Sequence, residues 1–206
     1  DGGKVSVNGT VYEDADVYAF VKNNGGKVAV YKENLYKPMP GYRFIASNTD
    51  RSRYYVGELN GKSSKQAYMD ALHISESNII NQTFHNPLGK MNGQDICIIS
   101  LKEVSGNGLC CYRQVNDSDV LVLLEEQDYN EILDETLQRI RRDFNHISGV
   151  FSINCVFRYL LFSQEHHMED YLKTMSTLGD HAGLIGFGEH YNQQFVNQTM
   201  TCVVFE

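Results

Sequence analysis

The chain has no tryptophan, only three prolines and no run of 18 apolar residues. A membrane-spanning helix needs about 20 predominantly apolar residues, so no part of this sequence is expected to cross a membrane. Lysine and arginine together number 18, against 26 aspartates and glutamates, and the net charge is -8. The basic residues gather only around Arg139, Arg141 and Arg142, within a helical pattern. Nucleic acid and anionic membrane surfaces are therefore not expected partners.

The chain has only five cysteines, an odd number. Four of the five thiols lie in apolar, strand-like runs, the full set being Cys97, Cys110, Cys111, Cys155 and Cys202. Such residues are typical of buried, reduced thiols, which predicts a cytoplasmic location. No histidine stands at zinc-ligand spacing from the adjacent Cys110 and Cys111, so no structural metal is expected. The chain begins with Asp1 and shows no secretory leader, and we expect it to be a fragment of a longer protein.

The first third of the chain alternates apolar and polar residues, which is typical of antiparallel strands. Asn8-Gly9 predicts a hairpin turn between strands 4–7 and 10–12. A second hairpin is expected to join strands 17–21 and 27–31. Two of the prolines, Pro38 and Pro40, interrupt the pattern and mark the expected internal boundary.

Beyond that boundary the sequence predicts a mixture of strands and helices. A helix is expected after Ser63 or Ser64, a long connection over 74–93, and a helix capped by Asp128 that ends near Asn145. Further elements are expected at the end of the chain, namely strand 149–156, helix 165–178, and strands 181–188 and 199–205. This order predicts an α+β fold in which two or three amphipathic helices pack on largely antiparallel sheet.

Two segments, 151–158 and 186–191, hold most of the chemically reactive residues. Arg158 follows the predicted buried strand, and Glu189 follows two glycines, Gly186 and Gly188, that permit close backbone approach. An arginine and a glutamate at two strand ends can hold a small zwitterion such as an amino acid, the guanidinium binding its carboxylate. The alternative is a plain interaction domain in which Arg158 forms only a structural pair, with Glu189 or with a loop carbonyl.

Other chemistries remain open for the same residues. Cys155 with His190 and Glu189 is a candidate thiol hydrolase, although no signature surrounds the cysteine. His181 and His190 border the predicted cleft and are candidate haem ligands. Asn197 and Thr199 can hydrogen-bond either a ligand or a neighbouring turn.

Four segments of the chain resemble the FIST domain, a sensory module. Residues 151–158, which end in Asn154-Cys155-Val156-Phe157-Arg158, are similar to a strand of that family that ends in cysteine and arginine. Residues 182–189 resemble its glycine-flanked Gly-Glu segment. The other two matching segments are 197–199 and 56–62. The resemblance divides the chain into residues 1–35, the closing strands of the N-terminal FIST half, and residues 36–206, the C-terminal FIST domain.

The resemblance implies a bacterial, intracellular signal-transduction module that is not an enzyme and has no cofactor. Its ligand would be a small molecule such as an amino acid, bound by Cys155, Arg158, Gly186, Gly188, Glu189, Asn197 and Thr199. The implied partners are the N-terminal FIST half and a histidine kinase, a chemotaxis receptor or a cyclic-dinucleotide enzyme. Haem-based sensing of nitric oxide is the alternative that the family offers. Val156-Phe157 departs from the family pattern and is expected to narrow the cleft.

Overall fold

A computed structural model of the protein describes residues 3–93 and 95–206. Its helices are α1 (Ser64–Leu72), α2 (Ile79–Gln82), α3 (Tyr129–Asp143), α4 (Val156–Gln164) and α5 (Met168–Met175), with a 3-10 turn at Glu76–Asn78. Its strands are β1 (Lys4–Val7), β2 (Thr10–Glu13), β3 (Val28–Asn34), β4 (Tyr36–Asp50), β5 (Tyr55–Leu59), β6 (Lys62–Ser63), β7 (Leu88–Asn92), β8 (Asp95–Ile99), β9 (Leu101–Ser105), β10 (Gly108–Cys111), β11 (Val120–Glu126), β12 (Gly149–Cys155), β13 (Asp180–Gly186), β14 (Glu189–Tyr191), β15 (Gln194–Val196) and β16 (Thr199–Phe205). The prediction of an α+β fold on largely antiparallel sheet is confirmed.

The N-terminal segment confirms one predicted hairpin and corrects the other. β1 and β2 pair around the turn at Asn8, whose φ is 51°. The strand expected over residues 17–21 does not form, and Phe20 is 94% exposed. β3 pairs instead with β16, far along the chain. The apolar run at 17–21 therefore lacked the tertiary partner that a strand needs.

A sheet of eight strands forms one side of the molecule, in the order β8-β7-β11-β4-β5-β10-β9, with β6 paired to β5. Its interior strand β11 is buried on both faces: Leu121 and Leu123 pack with α1, whereas Val122 and Leu124 pack with α3. Because side chains alternate across a strand, β11 separates two hydrophobic cores.

α1 and α3 begin at the residues that the sequence predicts. The Ser63 hydroxyl accepts a hydrogen bond from the Gln66 backbone N–H at 3.3 Å, and His73 ends α1 in the left-handed conformation. The Asp128 carboxylate accepts from the backbone N–H groups of Asn130 and Glu131 at 2.9 and 3.1 Å. Both N-caps satisfy backbone donors that the helix itself leaves free.

Two expectations for the middle of the chain are wrong. β4 runs through Pro38 and Pro40, which lie where its register with β11 is irregular and a missing backbone N–H is tolerated. The connection expected over 74–93 contains the 3-10 turn, α2 and β7. The segment is largely polar, so its isolated buried residues, such as Ile79 and Leu88, form no recognisable pattern in the sequence. These residues pack the short elements against the core.

The second sheet has four strands in the order β13-β12-β16-β3. β12 and β13 are parallel, and α4 and α5 form the crossover between them, whereas the other pairs are antiparallel. α3, α4 and α5 contribute apolar side chains to one core with this sheet, among them Leu137, Leu161 and Met175. Helix 165–178 forms only as Met168–Met175, and α4 was not predicted at all. In the described part of the chain, no helix is both long enough and apolar enough to cross a membrane.

Candidate functional site

Arg158 lies in the first turn of α4, not at the end of a strand as predicted. β12 ends at Cys155, and Val156 and Phe157, which have high β-propensity, are the first residues of the helix. The Arg158 side chain is only 1% exposed and forms an ion pair with the Glu33 carboxylate of β3. Its guanidinium carbon also lies 4.6 Å from the ring centre of Phe162. A protein carboxylate is therefore one partner of the Arg158 guanidinium, and the role of Arg158 in ligand binding stays a prediction.

Glu189, on β14, is the second buried carboxylate of this region, at 2% exposure. Its Oε2 accepts a hydrogen bond from the Thr199 hydroxyl at 2.9 Å. Burial raises the pKa of Glu189 to about 7, although Thr199, Cys155 and the positive charge of Arg158 act in the opposite direction. The Glu189 carboxyl group therefore changes charge near neutral pH.

The two glycines before Glu189 are required by the backbone itself. Gly188 has a φ of +136°, and a Cβ there would lie 2.7 Å from the Phe195 ring and 3.2 Å from Asn197 Oδ1. A Cβ on Gly186 would lie 3.3 Å from the Gly188 carbonyl oxygen. The chain makes a tight passage here from β13 into β14, which explains both glycines without a ligand.

The predicted residues Cys155, Gly186, Gly188, Glu189, Asn197 and Thr199 come together around this passage. Cys155 is buried beside Glu189, and Asn197 lies beside Gly188. Arg158 lies close enough for its charge to act on Glu189, but its hydrogen bond goes to Glu33. Their roles in ligand binding stay a prediction.

Buried polar atoms without a hydrogen-bond partner are concentrated in the same part of the molecule. Among the residues that the structure describes, every such side-chain atom belongs to Glu33 or to residues 154–198. They are Glu33 Oε2, Asn154 Oδ1, Arg158 Nε and Nη1, His167 Nε2, Glu189 Oε1, Asn197 Nδ2 and Gln198 Oε1. Burying a polar group without a partner costs free energy, and groups of this kind recur where proteins bind ligands.

Sequence reasoning missed Glu33, Asn154 and Tyr171 as members of this region. Asn154 donates through Nδ2 to the Tyr171 hydroxyl at 2.9 Å, and the Tyr171 ring centre lies 5.5 Å from the Arg158 guanidinium. A signal for Glu33 was present, because in β3 it has the same strand parity as the buried Tyr31. A charged residue at an inward-facing position indicates a buried partner.

A cavity of about 220 Å³ lies beside this region, between the parallel strands β12 and β13 and the helices α4 and α5. We name it the crossover cavity; its polar lining consists of Ser152, Asn154, Tyr159, Tyr171 and His181. The Ser152 hydroxyl and His181 Nε2 lie 2.8 Å apart, within hydrogen-bond distance. Burial lowers the pKa of His181, so its imidazole is mostly neutral at physiological pH.

Two further observations concern the alternative chemistries, which stay predictions. Burial, with the negative charge of Glu189, raises the pKa of Cys155 to about 11, whereas a nucleophilic cysteine needs a lowered pKa. His190 is exposed and packs on the Phe195 ring at 5.3 Å. For haem, either histidine alone is a candidate axial ligand: His181 lines the crossover cavity and His190 lines a separate cavity of about 140 Å³, and the haem alternative stays a prediction.

Comparison with known families assigns the chain. No curated protein sequence and no solved structure matches it. The family model described as the FIST C domain matches residues 65–192, which is more than half of the chain and includes the crossover from β12 to β13 and the tight passage into β14. The resemblance seen in the sequence is confirmed, and the chain belongs to the FIST C domain family, a family of sensory, ligand-binding domains.

Proposed function

We propose that this chain is the ligand-sensing part of a signalling protein and that it binds a small polar molecule in the crossover cavity. The observation that carries the proposal is the side chain of Asn154. It is 6% exposed, lines the cavity, and has no partner for its Oδ1 atom among the described residues. A ligand donor in the cavity would satisfy that acceptor.

The size and lining of the cavity narrow the ligand class. At about 30 Å³ per water molecule, 220 Å³ has room for roughly seven waters, which suits a single amino acid and is too small for a porphyrin. An amino-acid ammonium group would donate to Asn154 Oδ1. The Tyr171 hydroxyl oxygen already accepts from Asn154 and lies beside Ser152, and a ligand carboxylate would compete with Ser152 for its hydrogen.

The proposed ligand contacts therefore differ from those expected from the sequence, in which Arg158 and Glu189 hold the ligand. Arg158 is paired with Glu33 and acts on the ligand only through Tyr171, whose ring packs on the guanidinium. With no cation among the polar residues that line the cavity, a carboxylate is held less strongly there than in a bidentate arginine pair. Uncharged polar molecules of amino-acid size are the competing ligands.

A route from ligand to signal follows from the same contacts. A ligand that draws the Tyr171 hydroxyl into the cavity would shift the Tyr171 ring relative to the Arg158 guanidinium. Because Arg158 is hydrogen-bonded to Glu33, the shift would be transmitted to β3. β3 is an edge strand of the four-stranded sheet, where a further domain can pair or pack. The N-terminal FIST half, and through it a kinase, a receptor or a cyclic-dinucleotide enzyme, is the proposed recipient.

Isothermal titration calorimetry with the twenty amino acids at millimolar concentration tests the proposal. We expect at least one to bind the unmodified protein and to lose about tenfold or more in affinity in Asn154→Leu, which keeps the volume but removes the amide. Asn130→Leu, an exposed change at the start of α3, is the matched control and should bind as before.

Two results would count against the proposal. One is that no amino acid and no uncharged polar molecule of that size binds. The other is that Asn154→Leu and Asn130→Leu bind equally well.

A further inference from the structure

A second, larger cleft lies between the β4–β5 turn and the β14–β15 hairpin and has a different chemistry. Its volume is about 710 Å³, and we name it the basic cleft. Three cations line it, Arg51, Lys90 and Arg113, and none of the described residues that line it is an aspartate or glutamate. In a chain whose net charge is -8, this lining favours an anionic ligand.

Both arginines are held in place without being neutralised. An Arg51 Nη atom donates to Gln114 Oε1 at 3.2 Å, and an Arg113 Nη atom donates to the Phe195 carbonyl oxygen at 2.9 Å. Among the described residues neither forms an ion pair with a carboxylate. A guanidinium has five N–H donors, so each arginine keeps most of its donors for a ligand. Lys90 differs, because it is paired with Asp119.

Two exposed tyrosines flank the same cleft. Tyr54 is 41% and Tyr112 50% exposed, and Tyr112 rests against the Phe157 ring at 5.2 Å. Tyr54 has a φ of 56°, a conformation uncommon for a residue other than glycine. The Cys111 backbone N–H holds it there by donating to the Tyr54 carbonyl oxygen at 2.9 Å. Exposed aromatic rings that are fixed in place provide stacking surfaces for a planar ligand ring.

We propose that the basic cleft binds a nucleotide, with its phosphate groups at Arg51 and Arg113 and its base against Tyr54 or Tyr112. Guanidinium groups match phosphate oxygens in paired hydrogen bonds, which a compact ammonium does not. Tyrosine faces stack on any planar base, so this lining selects the class of ligand and leaves the identity of the base open.

The basic cleft also joins separate parts of the fold. Arg51 and Tyr54 lie in the turn between β4 and β5, whereas Phe195 lies in the β14–β15 hairpin. A phosphate held by both arginines would fix the hairpin against the eight-stranded sheet. The inference stands independently of ligand binding in the crossover cavity.

Calorimetric titration with ADP, with GDP as a second base, tests the inference, and inorganic phosphate and adenosine serve as partial ligands. We expect ADP or GDP to bind more tightly than either partial ligand, with an affinity that falls as salt is raised. Arg113→Gln and Arg51→Gln should each weaken nucleotide binding about tenfold or more. Tyr112→Ala should weaken ADP binding and leave inorganic phosphate unchanged.

Matched controls separate this site from the other. Arg141→Gln, an exposed arginine on α3, should leave ADP affinity unchanged, and so should Asn154→Leu in the crossover cavity. Binding of neither nucleotide at millimolar concentration would overturn the inference. Equal binding of ADP and inorganic phosphate would overturn it as well, and so would an ADP affinity that Arg51→Gln and Arg113→Gln both leave unchanged. Thermal melting of each variant confirms that the exposed substitutions leave the protein folded.

Discussion

The two hydrophobic cores on either side of β11 differ in the polarity of the side chains that they contain. The core that α1 covers is apolar, and the buried hydroxyl groups beside it have partners: the Ser64 hydroxyl donates to the Val56 carbonyl oxygen at 2.6 Å, and Thr83 Oγ1 accepts from the Leu101 N–H at 2.8 Å. The core that α3, α4 and α5 cover contains the ion pair of Arg158 and Glu33.

The difference in composition between the two cores distinguishes the part of the molecule that serves as a scaffold from the part that is proposed to hold the ligand site. The core that α1 covers is closely packed with apolar side chains, and Gln198 Oε1, beside Thr83 and Ser100, is the buried acceptor there without a partner among the described residues. The core that α3, α4 and α5 cover has buried polar atoms without partners and a cavity beside it. Burying such atoms lowers the stability of the fold, and a purely structural core does not require them. The proposed site in the crossover cavity therefore lies on the α3–α5 side. The following substitutions test this division.

The largest effect is expected for Arg158→Ala. Removal of the arginine leaves the Glu33 carboxylate buried without a counter-charge, which should lower the free energy of unfolding by about 3–5 kcal/mol in urea titrations. Lys173→Ala breaks an exposed pair with Glu169 and should have little effect. The double variant Arg158→Met with Glu33→Leu should recover most of the loss. Equal stability of Arg158→Ala and Lys173→Ala would show that the pair is not buried.

In the apolar core, Leu121→Ala should cost about 2–5 kcal/mol, because Leu121 is fully buried on β11 and the change leaves a cavity. The neighbouring Val120→Ala, at the exposed first residue of the same strand, is the control and should stay within about 1 kcal/mol. Ligand affinity in the crossover cavity should not change in either variant. A change in that affinity for Leu121→Ala would contradict the division between scaffold and site.

Glu189→Gln tests the buried carboxyl group through pH. The folded pKa of about 7 lies above the usual value of 4.5, so the folded state holds this proton more tightly than the unfolded state. Wild-type stability from this group is present below pH 4.5 and is lost as pH rises towards 7. Relative to wild type, Glu189→Gln should gain on the order of 2 kcal/mol across that window. Glu135→Gln, an exposed change on α3, is the control, and parallel pH profiles for wild type and Glu189→Gln would contradict the prediction.

The smallest effect is expected for Ser64→Ala, which removes the buried hydrogen bond to Val56 and should cost about 1 kcal/mol in thermal or urea unfolding. Ser176→Ala removes a comparable bond to the Leu172 carbonyl oxygen, but at an exposed position. We expect a smaller loss there because water replaces the partner. A loss at Ser64 as large as that of Arg158→Ala would remove the contrast between the two cores.

Local chemistry in the sequence was sufficient for much of the fold. The caps at Ser63 and Asp128, the turn at Asn8 and the apolar periodicity of α3 each act within a few residues, so their patterns predict structure correctly. Prediction failed for α4, because Val156 and Phe157 continue the β-propensity of the strand before them. It failed likewise for residues 17–21, an apolar run that has no partner strand in the structure.

By itself the sequence determined the family, the α+β class and the gathering of Cys155, Glu189 and Thr199 around a glycine passage, because short motifs and their order carry that information. Only the tertiary structure decided the partner of Arg158. Glu33 lies 125 residues earlier in the chain and meets Arg158 because β3 pairs with β16 and α4 packs over the same sheet. No local pattern specifies which of many carboxylates a buried guanidinium will reach, since that choice depends on strand order.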